Sequence, residues 1–157
     1  MEKRILDSVN RREFDSGAVR DIHDGKGRCD LLPLDVVSVL LDDAIYYHLD
    51  MFGKTGDVKY LYGAIYEAVS EVEIFDSLET TMLEVSKHFE EGAKKYSEDN
   101  WKKGIPVHCY IDSATRHYLK HRRGDVDEPH DRAFVWNVMC AIWTVLHKPD
   151  LNDFMSI

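Results

Sequence analysis

Cysteine is scarce: three residues in 157, Cys29, Cys109 and Cys140. They are odd in number, far apart and form no C-x-x-C pair, which excludes a zinc ribbon and a disulfide framework and fits the reducing cytoplasm, a host's if the chain is phage-encoded. No run approaches ~20 apolar residues, so no membrane-spanning helix is expected. Met1-Glu2-Lys3-Arg4 leads into a polar stretch without an apolar core, against a secretory leader. A basic excess is also missing. Lys and Arg number 20 against 29 Asp and Glu, a formal charge of −9, so the field that non-specific duplex binding needs is absent. There is no G-x-x-x-x-G-K-[ST], which leaves P-loop chemistry without support. Repeats, low-complexity tracts and convincing alternating strands are lacking too. What remains is an all-α class, a bundle of about five helices with an irregular N-terminal arm, in one domain.

Hydrophobic residues make up 44% and charged residues 31%, the balance of a folded chain long enough to bury a core. Residues 1–32, rich in Arg, Asp and Gly, read as the arm. Pro33 suits a helix start, and the apolar run 34–52 reads as one buried helix stopped at Gly53. Asp57 caps a second helix from Val58 to about Val72. A third starts near Asp76, with Glu79 in capping-box spacing. Met82, Val85, Phe89, Ala93 and Tyr96 then step at the helical period. After a loop over 97–104, Pro106 opens a fourth helix to about Arg123, and Gly124-Asp125 stops it. Pro129 opens a fifth to about Leu146, and the tail 150–157 reads as peripheral.

Several polar residues sit in patterns that suit chemistry. Glu84, His88, Glu91 and Lys95 share one face of the third helix, a spacing that also suits a solvated Glu–Lys ladder. His130 and Asn137 lie two turns apart on an otherwise apolar helix, where each needs a hydrogen bond or a ligand. Asp112 and Arg116 form an i,i+4 pair beside His117. Lys26 and Arg28, set between glycines, offer cations to a phosphate. Lys94, Lys95, Tyr96, Asn100 and Trp101 add further cations, an amide and two aromatic rings. Carboxylates on facing helices are how bundles hold divalent metals, and the lack of a thiolate cluster favours Mg²⁺ or Mn²⁺ over zinc.

The strings Ser16-Gly17-Ala18-Val19-Arg20-Asp21, Gly25-Lys26-Gly27-Arg28 and Asp30-Leu31-Leu32-Pro33 are followed by Gly92-Ala93-Lys94-Lys95-Tyr96, Asn100-Trp101 and Gly104. Then come Asp112-Ser113-Ala114, Arg116-His117, Gly124-Asp125, Asp127, His130 and Trp136-Asn137. In this order the sequence resembles a phage-associated family of dATP/dGTP diphosphohydrolases, which looks related to the all-α, MazG-like nucleotide pyrophosphohydrolases. The resemblance covers about residues 14–41 and 79–146. Residues 42–78 read as a helical insertion, Asp125 stands where Glu is expected, and the E-x-x-E…E-x-x-D metal signature of the wider superfamily is absent.

The resemblance implies hydrolysis of a purine deoxynucleoside triphosphate to monophosphate and pyrophosphate with Mg²⁺ or Mn²⁺, in a homo-oligomer. On that basis Glu91, Asp112, His117 and His130 are the expected catalytic residues, and Glu84, Glu91, Asp112 and Asp131 the expected metal ligands. Lys26, Arg28, Lys94, Lys95 and Arg116 are expected on phosphate. Tyr96, Asn100, Trp101 and Asn137 are expected on sugar or base. Two alternatives stand beside this. One is an HD-type phosphohydrolase built on His117 and His130-Asp131, with Asp150 or Asp153 as its last ligand. The other is a non-catalytic helical phage protein that binds a protein partner.

Overall fold

The computed structural model describes residues 11–22, 25–70 and 75–154. The arm holds a small hairpin, Arg11–Glu13 (β1) paired antiparallel with Val19–Asp21 (β2), Arg12 opposite Arg20. Strands of three residues are too short for alternation to register in sequence. A lone hairpin of this size is not stable in water; this one is anchored. Ala18 is fully buried, and the Asn100 side chain accepts from Val19 N–H and donates to Val19 C=O, both at 2.9 Å.

The single helix expected over 34–52 is two, Leu34–Leu41 (α1) and Ala44–Thr55 (α2). Asp42 turns left-handed at φ 49° to end α1, and Asp43 caps α2 by accepting from Ile45 N–H at 3.0 Å. An Asp side chain competes with the helix for backbone donors, and this outweighs the apolar run around it. Gly53, expected as the stop, lies inside α2, which closes at Gly56 instead. Helix α3 spans Lys59–Ser70; the expected end near Val72 falls outside the described residues.

Helix α4 covers Leu78–Lys95, capped by Ser77, not Asp76, through Thr80 N–H at 3.1 Å. Val107–Arg123 (α5) and His130–His147 (α6) follow Pro106 and Pro129 as expected. Short 3-10 turns occupy Cys29–Leu31, Asn100–Lys103 and Pro149–Leu151. The class is all-α, with six α-helices among the described residues where about five were expected.

Helix α6 is the axis: α5 packs along it, and α4 and α3 also lie against it, while α2 packs between α1 and α3. Tyr118 of α5 sits at the centre. Its ring lies 5.3 Å from Tyr46 and 5.0 Å from Phe134, and its hydroxyl donates to Asp43 at 2.5 Å. The cap of α2 is therefore also a tie to α5. The tail is docked through residue 154, contrary to expectation. Buried Asn152 donates to Gly56 C=O at 3.1 Å, Asp153 accepts from His108 N–H at 3.0 Å, and Phe154 packs 5.3 Å from Phe52. No helix among the described residues is long and apolar enough to cross a membrane.

Gly104 joins the 3-10 turn to α5 at φ 119°, where an added Cβ would lie 2.8 Å from Leu151. Gly53 has only Phe154 near it, at 4.0 Å. Gly104→Ala should lower stability by about 1–3 kcal/mol, and Gly53→Ala should raise it by up to about 1 kcal/mol. Urea unfolding of both variants reads the contrast.

Candidate functional site

The hairpin, the C-terminal end of α4 with the turn after it, and the facing sides of α5 and α6 enclose a cleft of about 450 Å³. Its apolar walls are Phe89, Trp101 and Trp136. These rings pack on one another, Phe89 5.3 Å from Trp101 and 5.8 Å from Trp136. Basic side chains come from the arm, α4 and α5: Arg12 and Arg20 from the hairpin, Lys26 from the segment after it, Lys95 from α4, Arg116 and Lys120 from α5.

Arg20 joins the arm to the bundle. Its Nη2 donates to Ser113 of α5 at 2.8 Å and to Asn137 of α6 at 3.2 Å, and its guanidinium lies 5.0 Å from the Tyr110 ring. Beside it, Asp21 accepts from Arg11 at 3.0 Å, Lys95 at 2.7 Å and the Tyr96 hydroxyl at 3.0 Å. Burial, with the Asp21 charge, pushes the Tyr96 phenol well up, so it stays a neutral donor.

Eight of the expected site residues line the cleft: Lys26, Lys95, Tyr96, Asn100, Trp101, Arg116, His117 and Asn137. Two of them are occupied structurally. Asn100 is committed to Val19 through both amide atoms. Asn137 donates to Ala133 C=O at 2.8 Å while accepting from Arg20. Trp101 packs edge-on against Trp143 at 5.1 Å, so its ring is wall and core together.

The other expected residues do not border the cleft. Arg28 is exposed and paired with Asp30 at 2.8 Å. Lys94 points to solvent beside Glu90 at 3.3 Å. Asp112 accepts from Cys29 N–H at 2.6 Å and, through both carboxylate oxygens, from Arg116 Nη2 at 2.8 Å, fixing the arm to α5. Glu91 pairs with Arg132 of α6 at 2.5 Å. Glu84 pairs with Lys87 at 3.0 Å. Glu84 and Asp131 border a separate, open depression. The four carboxylates expected as metal ligands are thus not brought together, and the arginine and lysine partners of three of them show why. Asp153, which an HD-type arrangement could use, is held by His108 instead.

His117 and His130 do meet, with Nδ1 atoms 2.8 Å apart, and His130 Nε2 lies 2.7 Å from Asp127. Burial, with repulsion from His130, pushes His117 well below its ordinary value, which favours a neutral ring. The hydrogen bond to His130 lowers Asp127. Two three-residue groups could hold a metal among the described residues: His117, Glu128 and His130, and Asp125, Asp127 and His130.

Sequence reasoning overlooked Arg12, Arg20, Asp127, Glu128 and Trp136 as site residues, and placed His88 only on a helix face. Arg20 and Trp136 lay inside quoted strings next to residues that were singled out. Arg12 had no signal, because its place depends on a hairpin too short to read. His88 is buried against Trp136, ring centres 5.1 Å apart, and its Nδ1 has no partner among the described residues.

Desolvation, helped by Arg132, Arg20 and Lys95, pushes His88 down to about 3. Its unfolded value is near 6.5. The stability tied to its neutral form is therefore complete above about pH 6.5 and is lost as pH falls toward 3. The slope is up to about 1.4 kcal/mol per pH unit. His88→Gln should flatten that part of the stability–pH curve in urea titrations between pH 7 and 4. Asn100→Ala should cost about 1–3 kcal/mol by orphaning Val19. It should speed amide exchange at Val19.

A family model described as dATP/dGTP diphosphohydrolase, N-terminal, matches residues 68–154, more than half of the chain. The match takes in α4, α5 and α6 and leaves out the hairpin, α1 and α2. No curated protein and no solved structure matches the chain.

Proposed function

Because the chain belongs to the dATP/dGTP diphosphohydrolase family, we propose that this cleft binds a purine deoxynucleoside triphosphate and hydrolyses it to the monophosphate and pyrophosphate. One observation carries the reading beyond the family. Arg12 Nε, Arg20 Nη1, Arg116 Nε and Trp136 Nε1 are buried and have no acceptor among the described residues, and all four side chains line the one cleft. A buried donor without a partner costs about 1–3 kcal/mol, so four around one space ask for an acceptor-rich ligand. A triphosphate supplies acceptor oxygens along its length, and a purine supplies a flat face for Trp101, Trp136 or Phe89.

In this reading water adds to the α-phosphorus and the α–β bridging bond breaks, releasing pyrophosphate. Phosphoryl chemistry of this kind is mostly positioning and charge compensation. Arg12, Arg20 and Lys26 would compensate the phosphate chain. Arg11, Lys95 and Tyr96 already donate to the Asp21 carboxylate, which offsets its repulsion of the phosphates. The packed rings exclude bulk water from the base end.

The proposal includes a divalent ion, Mg²⁺ or Mn²⁺. Asp127 and Glu128 are the carboxylates that border the cleft on the His117 side. One or two carboxylates with substrate phosphates make a fitting oxygen set for such an ion. When bound, it would neutralise phosphate charge and make its water more acidic. The proposal also keeps the homo-oligomer, for which α1 offers exposed Val36, Val39, Leu40 and Leu41.

The test is product analysis with each dNTP, ATP and GTP, with divalent ion and with EDTA. Monophosphate and pyrophosphate from dATP or dGTP are expected, and EDTA should abolish them. Nucleoside and triphosphate would favour the HD-type reaction, and no turnover by folded protein would favour a protein-binding role. Arg20→Gln should lower kcat/KM about 10–100-fold, the loss of one charge-assisted contact. Lys94→Gln should stay within about two-fold of wild type, since Lys94 lies outside the cleft.

A further inference from the structure

We propose that His117, His130 and Glu128 form a two-histidine, one-carboxylate metal centre at the edge of the cleft, one that takes a first-row transition ion such as Co²⁺ or Zn²⁺ in preference to Mg²⁺. The proposal deepens the metal dependence put forward above but does not rest on hydrolysis, since binding can be read without nucleotide.

Three observations converge. The Nδ1 atoms of His117 and His130 face each other at 2.8 Å. Two imidazole lone pairs at that distance repel unless a proton or a cation lies between them. Adjacent nitrogens on one ion, each at about 2.1 Å, stand ~3 Å apart, so the pair needs little movement to close on a metal. Glu128 adds a carboxylate oxygen within 4.8 Å of both histidine donor atoms.

The outer arrangement is the second observation. Asp127 can only accept, so His130 carries its hydrogen on Nε2, directed at Asp127 at 2.7 Å. This leaves Nδ1 as the ligating atom and fixes the ring, the carboxylate–histidine–metal relation that accompanies ligating histidines. The third is placement. His130 is almost wholly buried at the first turn of α6, and His117 lies on α5, so two tightly packed helices hold the histidines, with Glu128 in the segment that joins them. His117 and Glu128 both border the cleft, leaving the remaining coordination positions toward a bound phosphate or water.

The choice of ion follows from the donors. Imidazole suits Zn²⁺ and the later first-row ions such as Co²⁺, whereas Mg²⁺ prefers oxygen ligands and keeps its water. Glu128 and His130 also border the open depression beside Glu84 and Asp131, whereas Glu91 and Asp112 are held by Arg132 and Arg116.

The test is titration of the full chain, freed of metal by EDTA and dialysed, with Co²⁺ and no nucleotide. Expected are one equivalent bound and visible d–d absorption from nitrogen ligation, displaced by Zn²⁺ but not by Mg²⁺ at equal concentration. His117→Gln and His130→Gln should abolish the band. Asp127→Asn, at an exposed position where folding is not at stake, should weaken binding about 10–100-fold. No band with millimolar Co²⁺ on folded wild type would overturn the proposal. So would a band that survives both histidine substitutions, or equal displacement by Mg²⁺. Loss of turnover with the band intact would count against the hydrolysis reading alone.

Discussion

The guanidinium of Arg20 is where the arm, α5 and α6 become one structure. It bonds Ser113 and Asn137 on two different helices and lies over the Tyr110 ring, with a further N–H left toward the cleft. A two-strand hairpin has no stability of its own, so its position depends on this contact and on the Asn100 clamp at Val19. Once the hairpin is fixed, Arg12 and Arg20 stand on one side of a space whose other sides are α4 to α6. The cleft exists because the arm is held, and the arm is held by a residue that also lines the cleft.

This double use explains the electrostatics. The chain is acidic overall, yet its cleft collects basic groups. Several neighbouring acids are spent in pairs: Asp21 with Lys95, Asp112 with Arg116, Glu91 with Arg132. The pairs leave guanidinium N–H groups still without acceptors, as at Arg20 Nη1 and Arg116 Nε. Folding therefore removes carboxylates from competition and keeps donors in reserve. Buried His88 and His117 fit the same pattern, since burial disfavours a charge on either ring and the cations around them add repulsion.

Much of the helical frame was legible because its signals are local. Pro106, Pro129 and Gly124 mark helix ends by backbone geometry alone, and α5 and α6 fall where they point. The break at Asp42-Asp43 was not legible, because a side-chain cap competed with a long apolar run and prevailed. In the site, Tyr96, Arg116 and His117 were found from their spacing and from resemblance. Glu91 looked like a metal ligand, but spacing along one helix cannot reveal Arg132 arriving from α6; the i,i+4 pair of Asp112 with Arg116 was legible in the spacing and is present. Asp127 and Glu128 were passed over because their value depends on meeting His130 and His117, which is a property of the packed α5–α6 pair.

The central claim is that the cleft between hairpin and bundle is a nucleotide site whose unpartnered donors are met by phosphate oxygens. The most direct test is a crystal structure with a non-hydrolysable α,β-imido analogue of dATP or dGTP. The account predicts the purine against the Phe89, Trp101 and Trp136 wall and the phosphates within hydrogen-bond distance of Arg12, Arg20 and Arg116. A nucleotide bound instead in the open depression beside Glu84 and Asp131, or Arg20 and Arg116 left without acceptors in a nucleotide-bound crystal, would contradict it.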